Sequence, residues 1–362
     1  MDYPKSAYIH IPFCHSRCRY CGFSTTVNLK KELGYLIALL KDIDVNYKKN
    51  SLDTLYFGGG TPSVLPLEHV KKIFNKFNLS ECAEVTFELN PENATEEYLK
   101  GIFDIGINRL SIGCQTFDSA ILNNIGRLHS VQDSINAVKK AKEIGFKNIS
   151  VDLIYGLPNQ TLELFKKDLE LVKNLDIQHV SLYGLKIEDN SIYGKCIPEN
   201  LPDDDLQADM YLLAIEKLST FNHYEISNFS ISEEFQSKHN LMYWANGEYY
   251  GFGSAAHGYE NNVRYANAFN INSYIENPLI KDYGHTLSVQ EKLEEEIFLG
   301  FRVAEGLNVS KVNSKFDIDF EQKYGKQLQK YLSTGHIKRT ENGFALSNEG
   351  FLISTVILAE FI

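Results

Sequence analysis

Cys14, Cys18 and Cys21 fall in the run Phe13-Cys14-His15-Ser16-Arg17-Cys18-Arg19-Tyr20-Cys21, a C-x3-C-x2-C spacing directly after a short apolar stretch. Thiolates are the usual ligands of a cubane iron–sulfur cluster, which ordinarily takes four of them. Three leave one iron with an open position, as a catalytic zinc site keeps one for substrate. Two other readings compete. A structural zinc site would recruit His10 or His15 as its fourth ligand, and the thiols could simply be buried.

Further polar residues recur along the first half of the chain. Gly58-Gly59-Gly60-Thr61-Pro62 is either a tight turn or a loop whose backbone polar groups approach a ligand closely, because glycine reaches positive φ without steric cost. Glu88, in Thr86-Phe87-Glu88-Leu89-Asn90-Pro91, closes an otherwise apolar stretch, where a carboxylate needs a partner such as a ligand hydroxyl or a salt bridge. Gln115, Arg127 and Asp152 are individually weak signals and gain value from their positions.

Those positions follow from the elements that must carry them. Short β-rich runs alternate with stretches of helical spacing, the pattern of a parallel sheet. Six strands are expected near Ala7–Ile11, Leu52–Phe57, Glu84–Leu89, Arg109–Ile112, Asn148–Ile154 and Gln178–Leu182. Helices are expected between them, including Leu29–Lys48 with Leu33, Leu36, Ile37 and Leu40 on its apolar face, and Val131–Ile144 with Ile135, Val138 and Ala141. Six units predict an open, partial (β/α)6 barrel of the α/β class. Cys14, the triple glycine, Glu88, Gln115 and Asp152 all sit at or near strand C-terminal ends, the face on which β/α barrels build their active sites.

Bulk properties suit an intracellular protein. The chain has 362 residues, 43% hydrophobic and 23% charged, which is a globular balance. A formal charge of −11 argues against a nucleic-acid partner, which would require a basic face. Cys82, Cys114 and Cys196 are scattered, read as buried thiols rather than a disulfide framework, and point to a reducing compartment. The start lacks the apolar core of a signal peptide, and the tail Phe351–Ile362 is shorter than the about 20 residues that span a bilayer. A cytoplasmic location is expected, with peripheral membrane contact and a homodimer left open.

The motifs Tyr8–Cys21, Gly58–Pro62, Glu88–Pro91, Gly113–Phe117, Arg127 and Asp152–Pro158 occur in an order and at separations that resemble the radical S-adenosylmethionine (SAM) proteins related to oxygen-independent coproporphyrinogen III oxidase. The resemblance covers essentially the whole chain. It implies a [4Fe-4S] cluster on Cys14, Cys18 and Cys21, with SAM at the open iron. It further implies SAM contacts from Tyr8, Tyr20, Gly59, Gly60, Thr61, Glu88, Gln115, Arg127 and Asp152. Lys186 occupies another family position, but the surrounding sequence departs there.

Within that family the chain looks more like the HemW-type heme chaperones than the decarboxylase. The decarboxylase carries another cysteine two positions after the third ligand, where this chain has Phe23, and a substantial segment ahead of strand one, where only seven residues precede Tyr8. His239-Asn240-Leu241-Met242-Tyr243-Trp244 resembles the chaperones' H-N-x-x-Y-W heme-binding motif. Imidazole is a common heme ligand, and Tyr243 and Trp244 offer apolar faces, although a histidine among aromatics also serves as a hydrogen-bonded structural residue. His257, among small residues in Gly251–Tyr259, is a second candidate for heme, and its setting suits close backbone packing equally well.

Three regions are expected: a radical SAM partial barrel over 1–222, a connecting segment over 223–282 with the HNxxYW motif, and a winged-helix-like α+β domain over 283–362. The last should contain a hairpin at Glu341-Asn342-Gly343 and serve as a cover or a docking surface. The resemblance implies a heme chaperone that passes heme to apo-hemoproteins of a respiratory chain. The alternative is an oxygen-independent coproporphyrinogen III oxidase, and a weaker third possibility is a radical SAM enzyme with another substrate.

Overall fold

The computed structural model describes residues 3–362. Six parallel strands form its spine: β1 (Ser6–Ile11), β2 (Ser51–Gly59), β3 (Asn78–Leu89), β4 (Arg109–Gln115), β5 (Ile149–Tyr155) and β6 (His179–Gly184). Helices connect them, giving a mixed α/β fold around a parallel central sheet. β3 begins six residues earlier than expected, because its exposed start Asn78–Cys82 lacks apolar alternation yet pairs with Ser51 and Leu52.

The strands alternate strictly between two environments. Leu55, Phe57, Val85, Phe87, Leu110, Ile112, Val151 and Leu153 are fully or nearly fully buried beneath the surrounding helices. Their neighbours carry polar groups to the concave side, so that Thr54 lies opposite Glu84, Glu88 opposite Ser111, and Ser150 opposite His179. The period of two sets this, since successive side chains leave opposite faces of a strand. The outer face makes the core and the inner face makes a polar lumen.

Segment 223–282 does more than connect. With β7 (Asn222–Glu225), β8 (Asn228–Ser230) and β9 (Tyr250–Phe252) it completes a nine-stranded sheet of order β7-β8-β6-β5-β4-β3-β2-β1-β9. β9 runs parallel to β1, whereas β8 runs antiparallel to both of its neighbours, β6 and β7. A three-stranded antiparallel sheet, β10 (His257–Glu260), β11 (Val263–Asn267) and β12 (Lys281–Thr286), packs beside β9. The helix Lys238–Trp244 lies across the lower mouth of the barrel, away from the cysteines.

The C-terminal region is winged-helix-like. It combines the helices Val289–Gly300, Val309–Phe316 and Gly325–Ser333 with a sheet of β13 (Leu307–Asn308), β14 (Ile337–Thr340) and β15 (Gly343–Leu346). The β14–β15 hairpin turns at Glu341 and Asn342. This region docks on the β7 side of the barrel, where Ile226 N donates to Arg302 O at 2.9 Å and Ala304 N to Tyr224 O at 2.9 Å.

Two expectations are corrected. The first barrel helix runs Glu32–Asn46 and buries Tyr35, Leu36, Leu39 and Ile43, while Leu33 and Ile37 are 60% and 63% exposed. Periodicity identified the helix but not which of its two apolar faces meets the sheet. Cys82 and Cys196, expected to be buried, are exposed; Cys114 is buried. Among the described residues no helix is long and apolar enough to cross a membrane.

Candidate functional site

A cavity of about 620 Å³ opens at the C-terminal ends of the barrel strands. Cys14, Cys18 and Cys21 form one wall, and Tyr20, Gly59, Gly60, Thr61, Glu88, Gln115, Arg127 and Asp152 all line it. Tyr8 does not; its ring stacks behind Tyr56 with centroids 5.9 Å apart, and its hydroxyl lies 3.2 Å from His10 Nδ1. Tyr56, Ser111 and Tyr183 also line the cavity, although none was singled out from sequence. Strand parity could have found them, since they share the inward phase of Glu88 and Asp152.

The cysteine loop is fastened at both ends. Cys14 N donates to Thr26 O at 3.0 Å and Thr26 N to Pro12 O at 2.7 Å, while Arg19 N reaches Ile125 O at 3.0 Å. Gly60 must lack a side chain, because a Cβ there would stand 2.9 Å from Phe13 O and 3.0 Å from Cys14 Sγ. Gly59 adopts φ +113°, and a Cβ would strike the His10 ring. The triple glycine is therefore a close-approach loop beside the thiols.

Donors converge on the sulfurs. Thr61 Oγ1 lies 3.4 Å from Cys14 Sγ, and Arg127 Nη1 lies 3.6 Å from Cys18 Sγ. Arg127 Nη2 is anchored by Asn90 Oδ1 at 2.7 Å and Gly113 O at 2.6 Å. Burial pushes the Cys14 thiol up to about 11 and also raises Cys21, so binding metal must drive off their protons. Among the described residues no three histidine, cysteine or acidic side chains gather tightly enough for one metal ion.

The opposite wall supplies acceptors. Asp152 is held by Ser111 Oγ at 2.9 and 3.0 Å, and burial raises its carboxyl. Gln115 takes φ +68° at a register shift between β4 and β5, a strained position at the strand end. Glu88 accepts from Tyr56 Oη at 2.7 Å and from Gly59 N at 3.3 Å. Burial first, then the Asp152 charge, raises the Glu88 carboxyl from 4.5 to about 7.

That displacement has a measurable cost. A raised carboxyl favours folding most below its unfolded value, and the advantage is lost as pH rises through about 7. The ceiling is ~3 kcal/mol, reduced by partial solvent contact to about 1 kcal/mol. Glu88→Gln should therefore match wild type near pH 4.5 and exceed it in urea midpoint at pH 8. A wild-type advantage at pH 8 would contradict the assignment.

His239 is not at this cavity. It is 1% exposed at the lower mouth, with Nδ1 2.7 Å from Thr54 Oγ1 and Nε2 2.9 Å from Tyr243 Oη. Its ring packs on Tyr56 at 5.0 Å, and burial, with Arg109 adding, pushes it down to about 3. Both nitrogens are engaged by protein groups, so a heme contact from His239, which remains an expectation, requires Thr54 or Tyr243 to give way. The HNxxYW helix plugs the barrel, with its first N–H groups on Glu84: Lys238 N to Oε2 at 3.0 Å and His239 N to Oε1 at 3.1 Å.

Comparisons agree with this architecture. Residues 8–172 match the Radical SAM superfamily, and residues 287–353 match the HemN C-terminal domain. The fold superposes on coproporphyrinogen III oxidase (HemN) from Escherichia coli with a TM-score of 0.87 at 23% identity, covering 99% of this chain and 90% of that one. The heme chaperone HemW of Lactococcus lactis is 38% identical, with 96% of each chain covered. That of Bacillus subtilis is 35% identical, with 99% of each covered. With both domains present and relatives matched end to end, the chain belongs to the HemW family of heme chaperones within the radical SAM superfamily.

Proposed function

We propose that this protein binds heme and delivers it to apo-hemoproteins, among them respiratory enzymes, and carries a [4Fe-4S] cluster and SAM. The observation that carries the reading is the end-to-end match to HemW chaperones on a barrel that keeps all three thiols on one cavity wall. Cys14, Cys18 and Cys21 hold the cluster, which when bound supplies one-electron chemistry and an open iron for SAM. Thr61 and Arg127 place donors at the sulfurs. Glu88 and Asp152 present acceptors for hydroxyl and ammonium groups of SAM, with Tyr20, Gly59, Gly60 and Gln115 completing the walls. Tyr8 acts from behind, through Tyr56.

The test is a titration of anaerobically reconstituted protein with hemin, followed by the Soret band. Saturable uptake of about one heme per chain is expected. Coproporphyrinogen III, supplied with SAM and a reductant, should give no protoporphyrinogen. Absence of heme uptake, or robust decarboxylation, would overturn the reading.

A further inference from the structure

Asn90 follows the last residue of β3 and lines the cavity together with the cysteines. It precedes the short 3-10 helix Pro91–Asn93, a place where an asparagine ordinarily turns back to cap the first N–H groups. Here the side chain makes no capping bond. Other partners fix it.

Both ends of the amide are used. Oδ1 accepts from Arg127 Nη2 at 2.7 Å, while Nδ2 donates to Thr61 Oγ1 at 3.3 Å and to Glu92 Oε1 at 3.3 Å. A guanidinium can only donate and a carboxylate only accept, so the amide has one possible orientation. Glu92 Oε2 in turn lies 3.3 Å from Nδ1 of buried His129, whose Nε2 lies 3.2 Å from Cys114 O. Glu92 and His129 do not line the cavity, so the amide is braced from behind.

The two cavity partners of Asn90 are the same two groups that reach the sulfurs. Thr61 carries one hydroxyl proton. With Nδ2 donating to its oxygen, that proton is left to point at Cys14 Sγ, 3.4 Å away. Arg127 Nη2 commits its two N–H groups to Asn90 Oδ1 and to Gly113 O at 2.6 Å, which turns Nη1 toward Cys18 Sγ at 3.6 Å. Gly113 makes room for this, since a Cβ there would stand 3.2 Å from Nη2 and 3.4 Å from Asn90 Oδ1. Arg127 Nε stays buried and unpartnered, free for the SAM contact expected of that residue.

We propose that Asn90 is a positioning residue for the cluster: its one amide aims the Thr61 and Arg127 hydrogen bonds at two ligand sulfurs and so raises the reduction potential. The proposal rests on the cluster reading of Cys14, Cys18 and Cys21. Hydrogen bonds to ligand sulfurs, and positive charge beside them, stabilise the more negative, reduced form of an iron–sulfur cluster. Without the amide the Thr61 hydroxyl is free to rotate, and the guanidinium keeps only Gly113 O on Nη2. Both donors then leave the sulfurs together.

The experiment is a redox titration of anaerobically reconstituted full-length protein without SAM, with the reduced cluster read by electron paramagnetic resonance. In Asn90→Ala the reduced-to-oxidised ratio at a fixed potential should fall about tenfold, a midpoint about 59 mV lower for one electron. Iron and sulfide should equal wild type, because Asn90 contributes no ligand. Asn90→Ser, too short to bridge both donors, should shift the midpoint the same way. Thr61→Val and Arg127→Gln should each lower it, and adding Asn90→Ala to that pair should lower it no further. An unchanged midpoint in both Asn90 variants at full cluster content would overturn the inference while the cluster reading stands. So would a further fall on the paired background, since Asn90 would then act on the cluster directly. Loss of iron and sulfide in both variants would make Asn90 a framework residue and overturn it as well. A wild type that takes up no cluster removes the cofactor reading and the inference together.

Discussion

A Cys18→Ala variant, reconstituted anaerobically with iron and sulfide, is expected to retain less than about a quarter of the wild-type cluster content. Cys18 sits centrally in the triad, and Arg127 Nη1 lies 3.6 Å from its sulfur. Two remaining thiolates leave a second iron without a protein ligand. No other cysteine can replace it: Cys114 is buried, with its thiol pushed up to about 12 by burial, and Cys82 and Cys196 do not line the cavity. Iron and sulfide assays read the result directly. Cys196→Ala serves as the control and should keep its full content. Equal content in Cys18→Ala and wild type would sink the ligand assignment.

The second large effect is structural and concerns the opposite mouth of the barrel. Glu84 is buried, and its carboxylate receives the first two N–H groups of the helix Lys238–Trp244. It also acts on the Arg109 guanidinium, which is 2% exposed with Nε unpartnered. Removing the carboxylate leaves a buried cation less compensated and two helix N–H groups unmade. Glu84→Ala should therefore cost about 3 kcal/mol in urea denaturation. Unwinding from that N-terminal end should loosen the whole short helix and change the surroundings of Trp244 at its other end, read by tryptophan fluorescence at sub-denaturing urea. A cost within error of zero would show that the HNxxYW helix is held by its apolar contacts alone.

Much of the fold was legible because its signals are local. Each parallel strand carries its apolar phase within a short run, from four residues at Arg109–Ile112 to seven at Asn148–Ile154, and the helices between them announce themselves by spacing. The cavity wall was legible for a related reason, since βα loops must converge at one end of such a barrel. Tyr56, Ser111 and Tyr183 were overlooked because each is unremarkable alone. Only their common phase with Glu88 and Asp152 marks them as lumen residues. Leu33 and Ile37 misled for the opposite reason: they form a regular apolar face that the sheet does not use.

Sequence by itself determined the cysteine triad, the close-approach glycines, the order of the barrel strands and the family, because these depend on residue type and separation along the chain. Tertiary structure alone decided what surrounds each histidine. His239 lies in a motif that invites a heme contact, yet Thr54 and Tyr243, 185 residues away and one helical turn away, occupy both of its nitrogens. His257 sits in a run suited to close packing, yet a strained turn carries it to the surface beside Phe269. Availability of a lone pair depends on burial and hydrogen-bond partners. Those partners are brought in by other elements, and no spacing within a motif specifies them.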